Sequence, residues 1–282
     1  MARYLLLGHI TRDLVPKGGF RFGGAVLYAG LMVRRLGFET HVITASAEDP
    51  EELKNLFPEL FIHNQISPET TVFENQETPY GRRQKVHARA KPLDFSLLNR
   101  PIETDVLHLA PILDEVPIEG KVYVELFRFR FLVGNPQGWF RRVAPDGAVI
   151  HARPDLSKAP HFHALVLSEE DLSADPEGLL KELKNISEIL VLTRGAEGAS
   201  LFINSNSKEK FVPARKVEVV DPTGAGDILA GAFFAFLYRG KSPEEALEKA
   251  IRMAAIGVSR PGLSGVPNFN EIGSLLSSLD QV

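Results

Sequence analysis

The stretch Val219-Val220-Asp221-Pro222-Thr223-Gly224-Ala225-Gly226-Asp227, with the apolar run after it, most narrows what this chain can fold into. The two valines predict the end of a buried strand. Asp-Pro-Thr-Gly is turn chemistry, because proline fixes φ and glycine tolerates positive φ. From Ile228 to Tyr238 the residues are almost wholly apolar and helix-compatible, which predicts a helix buried on most sides. A helix tip carries unpaired N–H groups and a partial positive charge. Gly224, Ala225 and Gly226 are small enough to let an anion reach those groups, and Asp227 falls in the first turn beside it. Two readings of Asp227 are open. It complements the helix dipole behind a packing turn, or it takes the proton from a hydroxyl that attacks a phosphoryl group whose charge the N–H groups hold. No Gly-Lys-Ser/Thr follows, so this is not a Walker A loop.

The rest of the chain supplies the layers around that stretch. Residues 4–7, 39–45, 106–110, 129–135, 164–167 and 188–192 are short runs with a largely apolar middle. Such runs read as strands covered on both faces, and helical stretches alternate with them. The expectation is one α/β domain over residues 1–282, a doubly wound and mostly parallel sheet with helices on both faces. In such sheets ligands sit outside the carboxyl ends of the strands, which makes Asp13 a candidate for hydrogen-bonding substrate hydroxyls. Thr70–Gln76 and Arg82–His87 flank Glu77-Thr78-Pro79-Tyr80-Gly81 and predict a polar hairpin near 70–90, projecting over the cleft. Its basic run is either a solvated face or a source of one arginine, Arg82, for phosphate or substrate.

Bulk properties remove several function classes. The chain has no cysteine, so disulfide frameworks, thiolate catalysis and zinc–cysteine sites are out. A net charge of −4 gives no general attraction to nucleic acid or anionic membrane. The first apolar run is too short for a signal peptide or a membrane span, and the expected location is cytoplasmic.

Taken whole, residues 221–227 resemble the C-terminal signature of the PfkB/ribokinase family of carbohydrate kinases, D-[TP]-x-G-A-G-D. Strand, Gly8, Asp13, Gly23-Gly24, helix and Arg35-Leu36-Gly37 follow in the order of that family's N-terminal pattern. The resemblance implies a ribokinase-like fold with a small or absent β lid, with Asp227 as general base and Gly224, Ala225 and Gly226 as the anion hole. It implies that Asp13, Gly23 and Gly24 bind the acceptor. The family's asparagine four residues after the second glycine is Tyr28 here. Thr193-Arg194-Gly195-Ala196-Glu197-Gly198 is similar to the T-x-G-x-x-G that lines the nucleotide phosphates. Thr223, Ala255 and Val258 would then also meet the nucleotide. Where relatives carry N-x-x-E, tied to Mg²⁺, this chain has Ser168 and Asp171, so Asp171 is the candidate metal contact. Gln137-Gly138-Trp139-Phe140-Arg141 is similar to the Q-G-[FW]-x-R of lidless inositol kinase-like members, which adds Gln137 to the acceptor set. The implied activity is ATP- and Mg²⁺-dependent phosphorylation of a small sugar or polyol, with a myo-inositol-like compound first. Ribose, fructose or a nucleoside as acceptor, or a non-catalytic sensor on this fold, are the alternatives. Monomer and homodimer both remain open.

Overall fold

The computed structural model describes residues 1–78, 81–205 and 208–279. Nine strands form the central sheet, in the order Lys210–Pro213, Gly198–Ile203, Ser187–Thr193, Phe162–Ser168, Phe131–Gly134, Val106–Leu109, Arg3–Leu7, Glu39–Ser46, Phe61–Ile66. Neighbours from Phe61–Ile66 across to Ser187–Thr193 are parallel, and the last two pairings, through Gly198–Ile203, are antiparallel. The apolar run at residues 4–7 is central, paired with Glu39–Ser46 on one side and Val106–Leu109 on the other. Alternate residues of a strand face opposite ways. Tyr4 and Leu6 therefore join the core beneath the helices Ala25–Arg35, Ala225–Tyr238 and Pro243–Gly257. Leu5 and Leu7 join the second core, with Tyr123 of the helix Gly120–Leu126 and Leu179 and Leu183 of Pro176–Asn185.

The helix Ala225–Tyr238 is buried from Ile228 to Phe236, as its composition predicts. It lies between Ala25–Arg35 and Pro243–Gly257. The segment that leads to it differs from expectation. Val219 and Val220 end no strand; they are 55% and 58% exposed, and the N–H of Val220 bonds instead to the carbonyl of Val258 at 2.8 Å. Sequence shows that these residues are β-prone, but a strand forms only where another strand's edge is available to pair with it, and none lies here.

A second sheet of four strands covers the carboxyl end of the first, in the order Phe20–Gly23, Thr11–Leu14, Thr71–Thr78, Gly81–Ala88. The expected hairpin near 70–90 is present, with its turn residues 79–80 outside the described residues. The lid is larger than that hairpin. The short segment from Thr11 to Gly23 folds back on itself and pairs in parallel with Thr71–Thr78. Its far edge is tied down: the N–H of Val86 donates to the carbonyl of Gly147 at 2.8 Å, in the hairpin Arg141–Val143/Val149–His151. No helix among the described residues is long and apolar enough to cross a membrane.

Glu115 fixes the loops at the sheet's carboxyl end. It has no exposed surface, and its carboxylate accepts from the N–H groups of His9, Ile112 and Leu113 at 3.2, 2.8 and 2.8 Å. These donors come from the loops after two adjacent strands, so one buried anion sets the spacing of both. A buried N–H left without an acceptor costs about 1–3 kcal/mol. Glu115→Ala is expected to lower stability by at least about 2 kcal/mol in urea denaturation; an unchanged midpoint and slope would show that water replaces the carboxylate at no cost.

Candidate active site

The loops after the central strands, the lid and the tip of Ala225–Tyr238 enclose a cavity of about 750 Å³. Its wall contains Asp13, Gly24, Gln137, Thr193, Gly195, Gly198, Thr223, Gly224, Ala225, Gly226, Asp227, Ala255 and Val258. Thirteen positions picked out along 282 residues thus converge on one hollow.

The helix tip is built for close approach. Gly224 is the N-cap with φ of 78° and no side chain caps the helix. A Cβ at Gly224 would collide with the Tyr28 ring. Tyr28, standing where the family has asparagine, is thus a buried plate under the turn as well as part of the cavity wall. Asp221 closes the turn from behind. It accepts from the N–H groups of Thr223 at 2.9 Å and Gly262 at 3.1 Å, and Arg21 of the lid stands 3.7 Å away. Burial works against its charge, but those N–H groups and Arg21 hold the Asp221 carboxyl below its usual range.

Gly23 is not on the wall. It lies behind Asp13, where a Cβ would strike the Asp13 carboxylate, so its bareness lets that carboxylate sit against the neighbouring strand. Thr11 Oγ1 donates to Asp13 Oδ1 at 3.2 Å. The Arg82 side chain lies outside the described residues. Asp171 does not reach the cavity. Its carboxylate accepts from the Ser168 N–H at 3.0 Å in a capping box, and burial pushes its carboxyl above the ordinary range, against the pull of Arg141, that N–H and His151. Glu170, one residue earlier, is the carboxylate of this turn on the wall. Spacing alone hides this, because a capping box turns its fourth residue back onto its own first residue.

The cavity has two characters. One end is polar: Thr11, Asp13, Asn75, Gln84, Gln137 and Arg141. There Gln84 Nε2 donates to Asn75 Oδ1 at 2.8 Å, so two lid strands present one paired amide surface. The other end has Val217, Val219, Ala254, Ala255 and Val258 beside Arg215 and Lys216. Among the described residues no three His, Cys, Asp or Glu side chains converge as a metal cage.

Sequence reasoning missed Asn135. It stands just past the strand Phe131–Gly134, and its Nδ2 donates to Asp227 Oδ1 at 2.6 Å. Gln137 Nε2 reaches the same oxygen at 3.5 Å. Behind Asn135, His108 Nε2 lies 2.6 Å from the amide oxygen, and Tyr4 Oη lies 3.0 Å from His108 Nδ1. The available signal was a histidine inside a strand otherwise made of Val and Leu.

Parallel strands that end in a cavity, a bare helix tip on its wall and a carboxylate one turn in define a ribokinase-like α/β protein. Residues 142–268 match the model of the pfkB family carbohydrate kinase. Over 107 residues it is 39% identical to the 2-dehydro-3-deoxygluconokinase of Thermoproteus tenax, covering 37% of this chain and 32% of that protein. Over 131 residues it is 42% identical to the ribokinase of Bacillus subtilis, covering 45% of this chain and 44% of that one. These matches span less than half the length of either relative. A pyrophosphate-dependent kinase in the ribokinase family, complexed with a pyrophosphate analog and myo-inositol, superposes with a TM-score of 0.78 at 21% identity, covering 92% of this chain and 96% of that one. Ribokinase from Thermotoga maritima superposes at 0.68 and 20% identity, covering 98% and 100%. At such identities the likeness is one of fold.

Burial holds the His108 imidazole neutral, with its pKa brought down from 6.5 to about 4 and only partly restored by Asn135. Between those values the unfolded chain binds a proton that the folded chain refuses. Stability is therefore expected to fall as pH drops from about 6.5 towards 4, by up to about 3 kcal/mol from this group. Urea denaturation at stepped pH checks this: His108→Phe should flatten the slope in that window, and an equally steep slope would assign the loss to other groups.

Proposed function

We propose that this chain is an ATP-dependent kinase that transfers the γ-phosphoryl group to a hydroxyl of a small sugar or polyol, with a myo-inositol-like acceptor first. The observation that carries the reading is Asp227 on the cavity wall, one turn inside a helix whose tip is Gly224, Ala225 and Gly226. The acceptor takes the polar end, where Asp13, Gln137 and the Asn75–Gln84 pair match a row of neighbouring hydroxyls that both donate and accept. The triphosphate runs past Thr193, Gly195 and Gly198 to the helix tip, with Arg215 and Lys216 beside it. The base lies against Val217, Val219, Ala254, Ala255 and Val258. That apolar wall favours a nucleotide over pyrophosphate, which has no base to cover it.

The acceptor oxygen forms a bond to the γ-phosphorus as the bond to the ADP oxygen breaks, and the hydroxyl proton passes to Asp227. N–H groups at the helix tip stabilise charge on the moving phosphoryl group. Mg²⁺ usually arrives with phosphates and takes one or two protein carboxylates. Glu170 fits that part better than Asp171, whose carboxylate is committed to its own turn.

Asp227→Asn is expected to cut kcat about 10²- to 10⁴-fold while ATP affinity stays within a few-fold. The check is ADP release with Mg²⁺-ATP over a panel of myo-inositol, ribose, fructose and nucleosides, with ATP binding followed by calorimetry. Full turnover in the variant would remove Asp227 from the chemistry. The same panel run with pyrophosphate in place of ATP tests the donor: faster transfer from pyrophosphate would overturn the nucleotide reading. Binding of a sugar without ADP release would make the chain a sensor.

A further inference from the structure

We infer that Tyr4, His108 and Asn135 form a one-directional hydrogen-bond relay that positions the Asp227 carboxylate and favours its charged form. The inference rests on the reading of Asp227 as acceptor of the hydroxyl proton, and it adds three positioning residues: two in adjacent strands and one just past the end of the next. All three are buried, with exposures of 0%, 0% and 5%. None of them is on the cavity wall; Asn135 touches Asp227, and Tyr4 and His108 act through Asn135.

The direction of the relay follows from the donor inventory of each group. An ionised carboxylate only accepts, so the Asn135 amide turns its NH₂ towards Asp227 Oδ1, 2.6 Å away. The amide oxygen then faces His108 Nε2 at 2.6 Å, and that nitrogen must carry the proton. A neutral imidazole has one N–H, so Nδ1 accepts from the Tyr4 hydroxyl at 3.0 Å. Every donor points towards the carboxylate, and each bond polarises the next. Turning the amide over would set its oxygen against the carboxylate, so the charge at one end fixes the tautomer at the other.

Packing holds the relay in place. The His108 ring is edge-on to Phe234, 5.0 Å between centroids, on the same helix as Asp227. Tyr4 is edge-on to Phe38 at 5.5 Å. Leu or Phe would fill these core positions without unpaired polar atoms, so a string of three buried polar side chains ending on a carboxylate is explained by what it does to that carboxylate. The relay passes no proton; in the transfer step the hydroxyl proton ends on Asp227.

Ligand-free full-length protein labelled with ¹³C at aspartate carboxyls tests this by NMR titration, the Asp227 signal being assigned with Asp227→Asn. Asn135→Leu removes the donor at similar volume and is expected to raise the titration midpoint of Asp227 by about one to two pH units, the size of a charge-assisted hydrogen bond. Asn135→Asp keeps an acceptor for His108 but faces Asp227 with a second carboxyl, and should raise the midpoint further. His108→Phe frees the amide to turn and should raise it less. The charged groups Asp13, Arg141, Glu170, Arg215 and Lys216 on the same cavity are unchanged in all three. An unmoved midpoint in folded Asn135→Leu would overturn the relay. Should that variant not fold, no rise in Asn135→Asp does the same. ADP release with Mg²⁺-ATP and the acceptor panel separates the two claims. Turnover with an unmoved midpoint retires the relay alone; a raised midpoint without turnover supports the relay and retires the kinase reading.

Discussion

The site depends on a turn that only glycine can make. At φ of 78°, Gly224 swings the chain so that the first peptides of a buried helix end on a cavity wall, and the Tyr28 ring fills the space where a Cβ would have been. Three features of the cavity wall follow from that geometry: a bare tip, its dipole, and a carboxylate in the first turn. The helix is anchored deep in the core by Phe233 and Phe234, both without exposed surface, so its tip cannot drift. Precision at the surface is inherited from packing below it.

Buried polar groups do the corresponding work inside. The carboxylate of Glu115 ties two strand-end loops together through backbone N–H groups, and the Asn135 amide links the strand Phe131–Gly134 to the helix of Asp227. Such groups are costly in a core unless every donor finds an acceptor. Where they are satisfied they fix distances more sharply than apolar contacts do, because a hydrogen bond is directional and an apolar contact is not.

The lid couples to both ends of the cavity. Its strands supply Asp13, Asn75 and Gln84, while Arg21 on another of its strands stands over Asp221 behind the helix tip. The opposite edge is held by the hairpin that begins at Arg141. A four-stranded sheet sealed at one edge and ion-paired at the other is a wall of the cavity rather than a loose flap.

Much of this was legible in the residues alone, and the boundary is physical. Local signals sufficed where one segment's own chemistry decides its structure: the continuous apolar runs as covered strands, the Gly-rich turn, the apolar helix, and the place of Asp227 in its first turn. Signals failed wherever the outcome depends on a neighbour distant in sequence. Val219 and Val220 are β-prone yet lack an edge to pair with, and Asp171 matches a spacing yet turns back onto Ser168. The lid expected to be small or absent gains two strands between Thr11 and Gly23, because Thr71–Thr78 offers them an edge. Asn135, His108 and Tyr4 are far apart along the chain and carry no common motif. The sequence by itself determined the elements and the chemistry of the helix tip, because those are properties of a few consecutive residues. Only the tertiary structure decided which side chains stand behind the carboxylate, because sheet order, not sequence order, sets who is next to whom.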